Sequence, residues 1–571
     1  MMGRARHGVA AFTGLVLGLL AIGPGLAPGF VLSFDMVFVP DPAFSRMTFG
    51  LTGTVPRHVP SDAFVTALAT VLPADAVQKL VLLAIFVMAC TAAASLVPSE
   101  RLAPRLAAGV LYAWNPFVAE RLLLGHWAFL LGYAALPWVV GAAARAGEAG
   151  GGRRLVRALI PAAIGGFAAI AISALTALAI AAAGRERGRS LGRTAVALVV
   201  LSLPWLVTGW LRPAGMPGDT VGVEAFAARA DTPFGALGSL FLLGGAWNRE
   251  TVPAGYGAPV TAFAWLLVVV AAVVAYGWWC RTAWARGVAL AAGAGFVLAA
   301  LGAVVPWLLR WAIGLWPGFA VLRDGQQYVA PLAVLVAVGL GVLVERVMRV
   351  DTARTDTAGA ALAIFAILAP VVLLPSLAWG AAGRLKAVDY PAAWAAGRKI
   401  IEADTVPGDV LVLPWATYRS YSWNGGRTSL DALPRYLGRR VIVSDAVMIG
   451  SLTIRAEDPR ARRLDEVVRA GGPLTEGLRA AGIRYVALDA ETSAANPARG
   501  RLAGADPVLD QPDLVLYRIE APVKAEDGGA PVWSAVLAWS IVMGVILWSF
   551  FVPASTLSAY FPRRPRRRRT P

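Results

Sequence analysis

The fold class that the sequence predicts is a polytopic α-helical membrane protein carrying a small extracytoplasmic α/β domain. Three observations predict it. Of the 571 residues, 57% are hydrophobic and only 15% charged, against about 25% charged in soluble globular chains. Apolar runs long enough to cross a bilayer recur along the chain, and the basic residues collect in short segments between them. Hydrocarbon accepts only apolar side chains on an internally satisfied backbone, so such runs fold as helices. The same composition excludes a disordered protein, a collagen, a coiled coil and an ordinary cytosolic enzyme.

Lys+Arg 52 against Asp+Glu 35 gives a net charge of +17, and four of the 52 are Lys. A basic balance can signal nucleic acid. Here the arginines sit between apolar runs, the positive-inside pattern, so no nucleic-acid partner is expected. An Arg- and Ala-heavy chain suits a GC-rich bacterial genome. The two cysteines, Cys90 and Cys280, lie in or beside apolar runs and imply no disulfide framework.

In chain order the apolar runs lie near 8–32, 77–98, 106–122, 128–146, 158–184, 194–211, 259–279, 287–309, 329–348, 358–380 and 531–553. A helix needs about 20 such residues to cross the core. The first run has a basic start, as a secretory signal does, but no small-x-small cleavage site follows, so an uncleaved first helix is expected. The run 158–184 reads either as one tilted span or as two short helices meeting near its centre, Ser173–Thr176. Arginines decide between these. The basic segments are the N-terminus (Arg4, Arg6), 99–105, 145–157, 185–193, 280–286, 346–354 and a tail, 554–571, with six Arg between Arg563 and Arg569. With 158–184 as a re-entering pair, all of them fall on the cytoplasmic face. That favours about 12 spans in the plasma membrane with both termini inside.

The long segments 33–76, 212–258, 310–328 and 381–530 then lie outside, as loops of a transmembrane core spanning 1–380 and as a domain of their own; 531–553 is the final span. Loops beyond about 15 residues are usually functional or folded. Within 381–530, a helix AAWAAGRKIIEA and strands DVLVLPW (409–415), RVIVSD (440–445), IRYVALD (483–489) and LVLYRIE (514–520) alternate with helical stretches. This is the pattern of an α/β sheet. No G-x-G-x-x-G opens a helix there, and the domain reads as a lid or binding unit.

Familiar chemistries fail. The chain has no G-x-x-x-x-G-K-[ST], no G-x-S-x-G, and no H-E-x-x-H among its three histidines, His7, His58 and His126. What remains is polar residues at the outer ends of spans. Asp35, in LSFDMVFVPDP, follows the first helix, and Asp41 lies just beyond it. Partial desolvation at that depth should raise a carboxyl toward useful base strength; the plainer alternative is a helix cap. Both are candidates for catalysis. A divalent cation could bind there, but no metal-specific ligand set is visible.

A second cluster, NPFVAERLLLGHWAFLLGYAALPW (115–138), holds Glu120, Arg121 and His126. Adjacent helical residues do not face each other, so Glu120 and Arg121 need partners elsewhere, for Arg121 a substrate phosphate. A third, LWPGFAVLRDGQQYVAPLAV (315–334), sets Arg323, Asp324, Gln326 and Gln327 before a span, a candidate anion or sugar site in which Asp324 alternatively caps the helix. Trp307, Trp311 and Trp316 read as an interfacial belt rather than a sugar platform. The loop 212–258 carries Asp219, Glu224, Asp231, Trp247, Asn248, Arg249 and Glu250 with no assignable role, around an apolar stretch FGALGSLFLLGG (234–245).

This order, a first helix, a long loop with an early Asp, an outer-face Glu-Arg-x4-His-Trp segment and a late α/β domain, resembles the GT-C superfamily of membrane glycosyltransferases. The segment 112–138 is most similar to the membrane core of the large actinobacterial α-(1→3)-arabinofuranosyltransferases and related uncharacterised membrane proteins. The resemblance implies a polyprenyl-phosphate sugar donor, a cell-envelope glycan or lipid acceptor on the outer face, and the early loop acid, Asp35 or Asp41, as base. The chain is far shorter than those enzymes and lacks their extended carbohydrate-binding region, which leaves the sugar and acceptor open. A non-catalytic scaffold or a lipid-linked glycan transporter is the rival expectation. A transporter should carry mid-span charges and internal repeats, which are not evident here.

Overall fold

The computed structural model describes residues 2–212, 218–351, 356–449, 452–490, 495–523 and 529–551. Arg354 and the basic tail 554–571 lie outside them. The chain opens with α1 (Met2–Ile22), α2 (Ser61–Ala69), α3 (Ala74–Leu96), α4 (Leu102–Ala113), α5 (Pro116–Leu123), α6 (Trp127–Ala143), α7 (Gly151–Ile164), α8 (Gly166–Ala183) and α9 (Arg187–Trp210). Among the described residues eight helices are long and apolar enough to cross a membrane. A ninth counts if Gly359–Leu373 and Pro375–Gly383, bent by 61°, form one span. The helix Trp127–Ala143 is apolar but shorter.

Two runs are broken helices, the first of them at Asn115-Pro116, where the sequence itself interrupts the apolar run. The run 106–122 is not one helix: it breaks between α4 and α5 at Trp114-Asn115. Asn115 accepts a hydrogen bond from the Val118 N–H at 3.0 Å, with Pro116 following, so the sequence caps a new helix there. The amide nitrogen of Asn115 donates to the carbonyls of Leu111 and Tyr112 and to the Tyr133 hydroxyl, which satisfies a fully buried polar group. The run 158–184 is two helices, but its corner lies at Gly165-Gly166 rather than Ser173–Thr176. Gly166 sits at φ +74°, which a side chain rarely adopts, and an added Cβ would meet the Val59 carbonyl at 3.0 Å. The pair re-enters: Arg193, beyond α8, donates to the carbonyls of Ala146, Gly147 and Glu148 ahead of α7 at 2.7–2.9 Å.

Contacts gather the other basic segments similarly. Arg6 pairs with Glu100, Ser99 donates to Glu345 at 2.6 Å, Arg349 donates to Glu345 at 2.7 Å, and the Arg346 guanidinium lies 5.5 Å from the Trp279 ring centre. The opposite ends of the same helices lead into the long loops.

The strands are β1 (Phe30–Val31), β2 (Ala387–Val388), β3 (Asp409–Leu413), β4 (Tyr418–Ser420), β5 (Thr428–Leu430), β6 (Val441–Ile442), β7 (Val447–Ile449), β8 (Leu452–Ile454), β9 (Ile483–Leu488), β10 (Asp506–Gln511) and β11 (Leu514–Arg518). Five form one sheet, ordered β10-β11-β9-β3-β6, in which β3 runs parallel to β6 and β9. Strands covered on both faces read as continuous apolar runs, as DVLVL and IRYVAL do. Leu411, Val486 and Val515 pack on one side with Leu464 and Leu478. Val410, Val412, Tyr485 and Leu516 pack on the other with Trp394 of the helix Ala392–Ala403. The four expected strands are present. The hairpins β4–β5 and β7–β8 and strand β10 were not expected, because they are short or polar.

Two pairings join this unit to the first loop. β1 pairs with β2, and Phe34 forms a bridge with Ser429 of β5. The C-terminal ends of the parallel strands β3 and β6 lead to Tyr418 and Asp445, at the edge where open α/β sheets place their ligands.

Candidate active site

A cleft of about 970 Å³ opens where the three long loops meet the α/β unit. Its lining includes Asp35, Arg57, His126, Trp247, Arg323 and Tyr418. A second chamber of about 1060 Å³ continues from it, sharing Asp35, Arg57, Tyr418, Asp445 and Glu457 as the waist.

Asp35 is held by backbone on both sides. Its N–H donates to the Leu124 carbonyl at 3.1 Å, and Phe34 exchanges hydrogen bonds with Thr428 and Leu430. Gly125 makes this approach possible. It has φ +79°, and a Cβ there would lie 2.1 Å from the Met36 nitrogen and 2.3 Å from the Ser33 oxygen. The first loop therefore lies directly on the turn between Arg121 and His126.

The Asp35 side chain is 37% exposed and accepts two hydrogen bonds, from the Tyr418 hydroxyl at 2.7 Å and from His126 Nε2 at 3.2 Å. On the far side of that ring, Arg121 Nη1 lies 3.0 Å from His126 Nδ1. A guanidinium only donates, so Nδ1 accepts and the ring proton sits on Nε2, facing Asp35. Burial pulls the Asp35 carboxyl upward, but the bonds from His126 and Tyr418 outweigh it and hold the group at about 2. The expected rise is therefore reversed, because two donors meet the carboxylate that desolvation alone would have protonated. His58, on the second chamber's wall, is lowered as well, in its case by burial and by Arg435, to about 4.

Arg121 is 1% exposed. It forks onto both oxygens of Asp324, at 2.6 and 2.9 Å, and its Nε donates to Gln326 at 2.7 Å. Gln326 in turn donates to Glu120 at 3.2 Å, and Glu120 accepts the Ala246 N–H at 3.3 Å. The Glu120 carboxyl abuts that of Asp231, which burial raises above the usual range. Polar groups thus run from the cleft floor into the protein, from Tyr418 through Asp35, His126 and Arg121 to Gln326 and Glu120.

Of the residues singled out in the sequence, Asp35, His126, Arg323 and Asp324 line the cleft. Three readings change. Arg121 has its donors engaged and cannot reach a substrate phosphate. Glu120 and Gln326 are fully buried beneath the cleft. Gln327 donates to the Val321 carbonyl at 3.4 Å and is not part of the lining. Asp324 makes no capping bond to its own helix; Arg121 holds it, and Arg121 outweighs burial in keeping its carboxyl low. Asp41 is exposed and apart from the cleft, where its backbone oxygen accepts from Arg398 at 3.2 Å. Trp307, Trp311 and Trp316 are exposed and outside the lining, as a belt requires.

Sequence reasoning missed Tyr418, Arg57, Asp445 and Glu457. Asp445 lies three residues beyond the short parallel strand β6, which was a usable signal. Its Oδ2 accepts the N–H groups of Glu457 and Asp458, both at 2.9 Å, and Glu457 pairs with Arg57 and, at 3.6 Å, with Arg323. Nothing in the sequence marks Tyr418 for Asp35. Among the described residues no group of three or more His, Cys, Asp or Glu is placed to hold a metal ion. Both Asp35 oxygens already face donors.

No family model and no curated protein matches this chain. Its fold matches two cryo-EM structures of the arabinofuranosyltransferase AftD from mycobacteria, one of them a mutant form. The TM-scores are 0.56 and 0.57 at 17% and 18% identity, over 92% of this chain in each case. The chain spans 40% and 42% of the length of those chains. The chain thus shares the fold of those structures, and with its apolar helices it is an integral membrane protein.

Proposed function

We propose that the protein is a membrane glycosyltransferase that moves a sugar from a polyprenyl-phosphate donor to a cell-envelope glycan or lipid on the outer face of the plasma membrane. In this arrangement α4, α6 and α7 complete a set of about 12 crossings, with both termini inside and 381–530 outside. One observation carries the reading: an ionised carboxylate, Asp35, stands at the waist of a two-chambered cleft on a GT-C-like fold.

The chemistry follows from that placement. An acceptor hydroxyl oxygen attacks the anomeric carbon. The bond from that carbon to the lipid phosphate oxygen breaks, and its electron pair leaves with the phosphate. Asp35 takes the hydroxyl proton as the new bond forms, and the anomeric configuration inverts. Arg323 and Arg57 face the cleft and supply positive charge to the leaving phosphate. Trp247 and Phe226, also in the lining, offer rings to a sugar face. Arg121 is a positioning residue: it fixes His126, which with Tyr418 orients Asp35.

The test is transfer from a labelled polyprenyl-phosphate sugar by purified protein carrying Asp35→Asn. A loss of about a hundredfold or more is expected, with the fold intact. Undiminished transfer by that variant removes Asp35 as base. A wild-type protein that turns over no lipid-linked sugar leaves the scaffold reading.

A further inference from the structure

Behind the turn that carries Asp35 lies a second surface that the transfer reaction does not use. It is an open groove of about 1280 Å³ between residues 33–34, the segment 383–388 and the tip of the β4–β5 hairpin. Residues 33–36 form a tight turn in which Ser33 and Met36 exchange backbone hydrogen bonds and Phe34 sits at φ +43°. Phe34 lines this groove, whereas Asp35 lines the cleft.

The groove is cationic. Arg384, Lys386 and Arg427 line it against a single carboxylate, Glu250. Arg427 is held by neutral groups: Nη1 donates to the carbonyls of Arg384 and Lys386 at 3.0 and 2.9 Å, and Nε and Nη2 donate to Asn424, both at 2.8 Å. Arg384 donates to the Glu250 carbonyl oxygen rather than to its carboxylate. Lys386 is exposed. A half-buried guanidinium neutralised only by carbonyls is an expensive arrangement unless an anion joins it. Arg and Lys together suit a phosphate, Arg by its planar fork and Lys as a point charge.

The groove's position names the source of that anion. Arg384 directly follows the bent segment Pro375–Gly383, where that span ends. The same segment packs on the end of α1, since a Cβ on Gly23 would meet the Trp379 backbone at 2.9 Å. Trp379 is 68% exposed and Val372 69%, so the flank beside the groove faces lipid. Two spans thus leave the apolar layer at the foot of a basic groove, with an exposed Trp at the level where such rings sit.

We propose that this groove binds the phosphate head group of an anionic membrane lipid, at a site separate from the transfer cleft. The inference does not rest on the proposed chemistry, only on the protein spanning a membrane.

The experiment is native mass spectrometry of the full chain in detergent, titrated with phosphatidylglycerol or phosphatidylcholine. We expect wild-type protein to retain phosphatidylglycerol in preference to phosphatidylcholine. Lys386→Gln, an exposed change that leaves the turn intact, should weaken that retention about fivefold, the usual effect of one basic residue at an anionic surface. Adding Arg427→Gln should weaken it further, with thermal unfolding recorded to separate binding from misfolding. Equal retention of both lipids, or phosphatidylglycerol retention unchanged in Lys386→Gln, overturns the proposal. If millimolar inorganic phosphate displaces phosphatidylglycerol completely, the site reads free phosphate and the lipid assignment fails; partial competition supports a head-group site that also uses the acyl chains.

Discussion

At the scale of single residues, the carboxylate at the cleft waist is a poor resting base by design of its surroundings. Two donors hold Asp35 at about 2 rather than 3.8, so it stays ionised through the whole neutral range. The sign follows from linkage. A carboxyl lowered in the folded state stabilises the fold above the unfolded value, and that contribution disappears as pH falls toward 2. A pH–rate profile of the wild type should therefore show no acid limb from this group above pH ~4. Replacing His126 by Leu removes one donor while burial continues to push upward, so the acid limb should shift up by about one unit or more. A profile that does not move in this variant separates His126 from Asp35. Arg121 gives a different expectation. It is buried against Asp324 and Gln326, and Arg121→Met leaves the cleft-lining Asp324 carboxylate and the buried Gln326 oxygen without their donors. Destabilisation of about 1–3 kcal/mol is expected, read by unfolding in detergent. The sequence showed that Arg121 needed a partner. It gave no means of telling a substrate phosphate from Asp324, which is 203 positions away in sequence.

At the scale of elements, the site depends on two turns. Gly125 lets the first loop lie on the corner between α5 and α6, with φ +79° and no room for a Cβ. Gly125→Ala should push residues 33–36 off that corner and separate Asp35 from His126. Transfer should then fall, with a lowered melting temperature, and unchanged transfer would show that the loop accommodates. The second turn is the β4–β5 hairpin, whose pairing with Phe34 sets the Tyr418 hydroxyl on Asp35. Tyr418→Phe keeps the ring and loses only that bond, so a modest rate loss with an upward-shifted acid limb is expected from the same assay. Helix periodicity and apolar length revealed most spans, because those signals are local. The break at Asn115-Pro116 is local in the same way. The corner at Gly166 was harder to place, because it depends on what packs around it, the Val59 carbonyl.

At the scale of the whole molecule, arginine placement was the most informative feature of the sequence. The contact of Arg193 with the carbonyls ahead of α7 brings the two ends of the α7–α8 pair together, and we propose that all the basic segments share the cytoplasmic face. That organisation is testable directly. With Cys280 replaced by Ala, and Cys90 buried, single cysteines at Thr220 and at Arg189 should react with an impermeant maleimide from opposite sides of the membrane; labelling from one side alone would overturn the topology. The convergence of three loops and a late α/β unit on one cleft was legible only as shared sidedness. Which side chains meet there is a long-range outcome, and Tyr418 stands 383 positions from the carboxylate it holds. That separation has a consequence during synthesis. A ribosome must deliver nearly three-quarters of the polypeptide before the first loop acquires its hydroxyl donor, so the carboxylate at the cleft waist waits on a late-made hairpin for its second hydrogen bond.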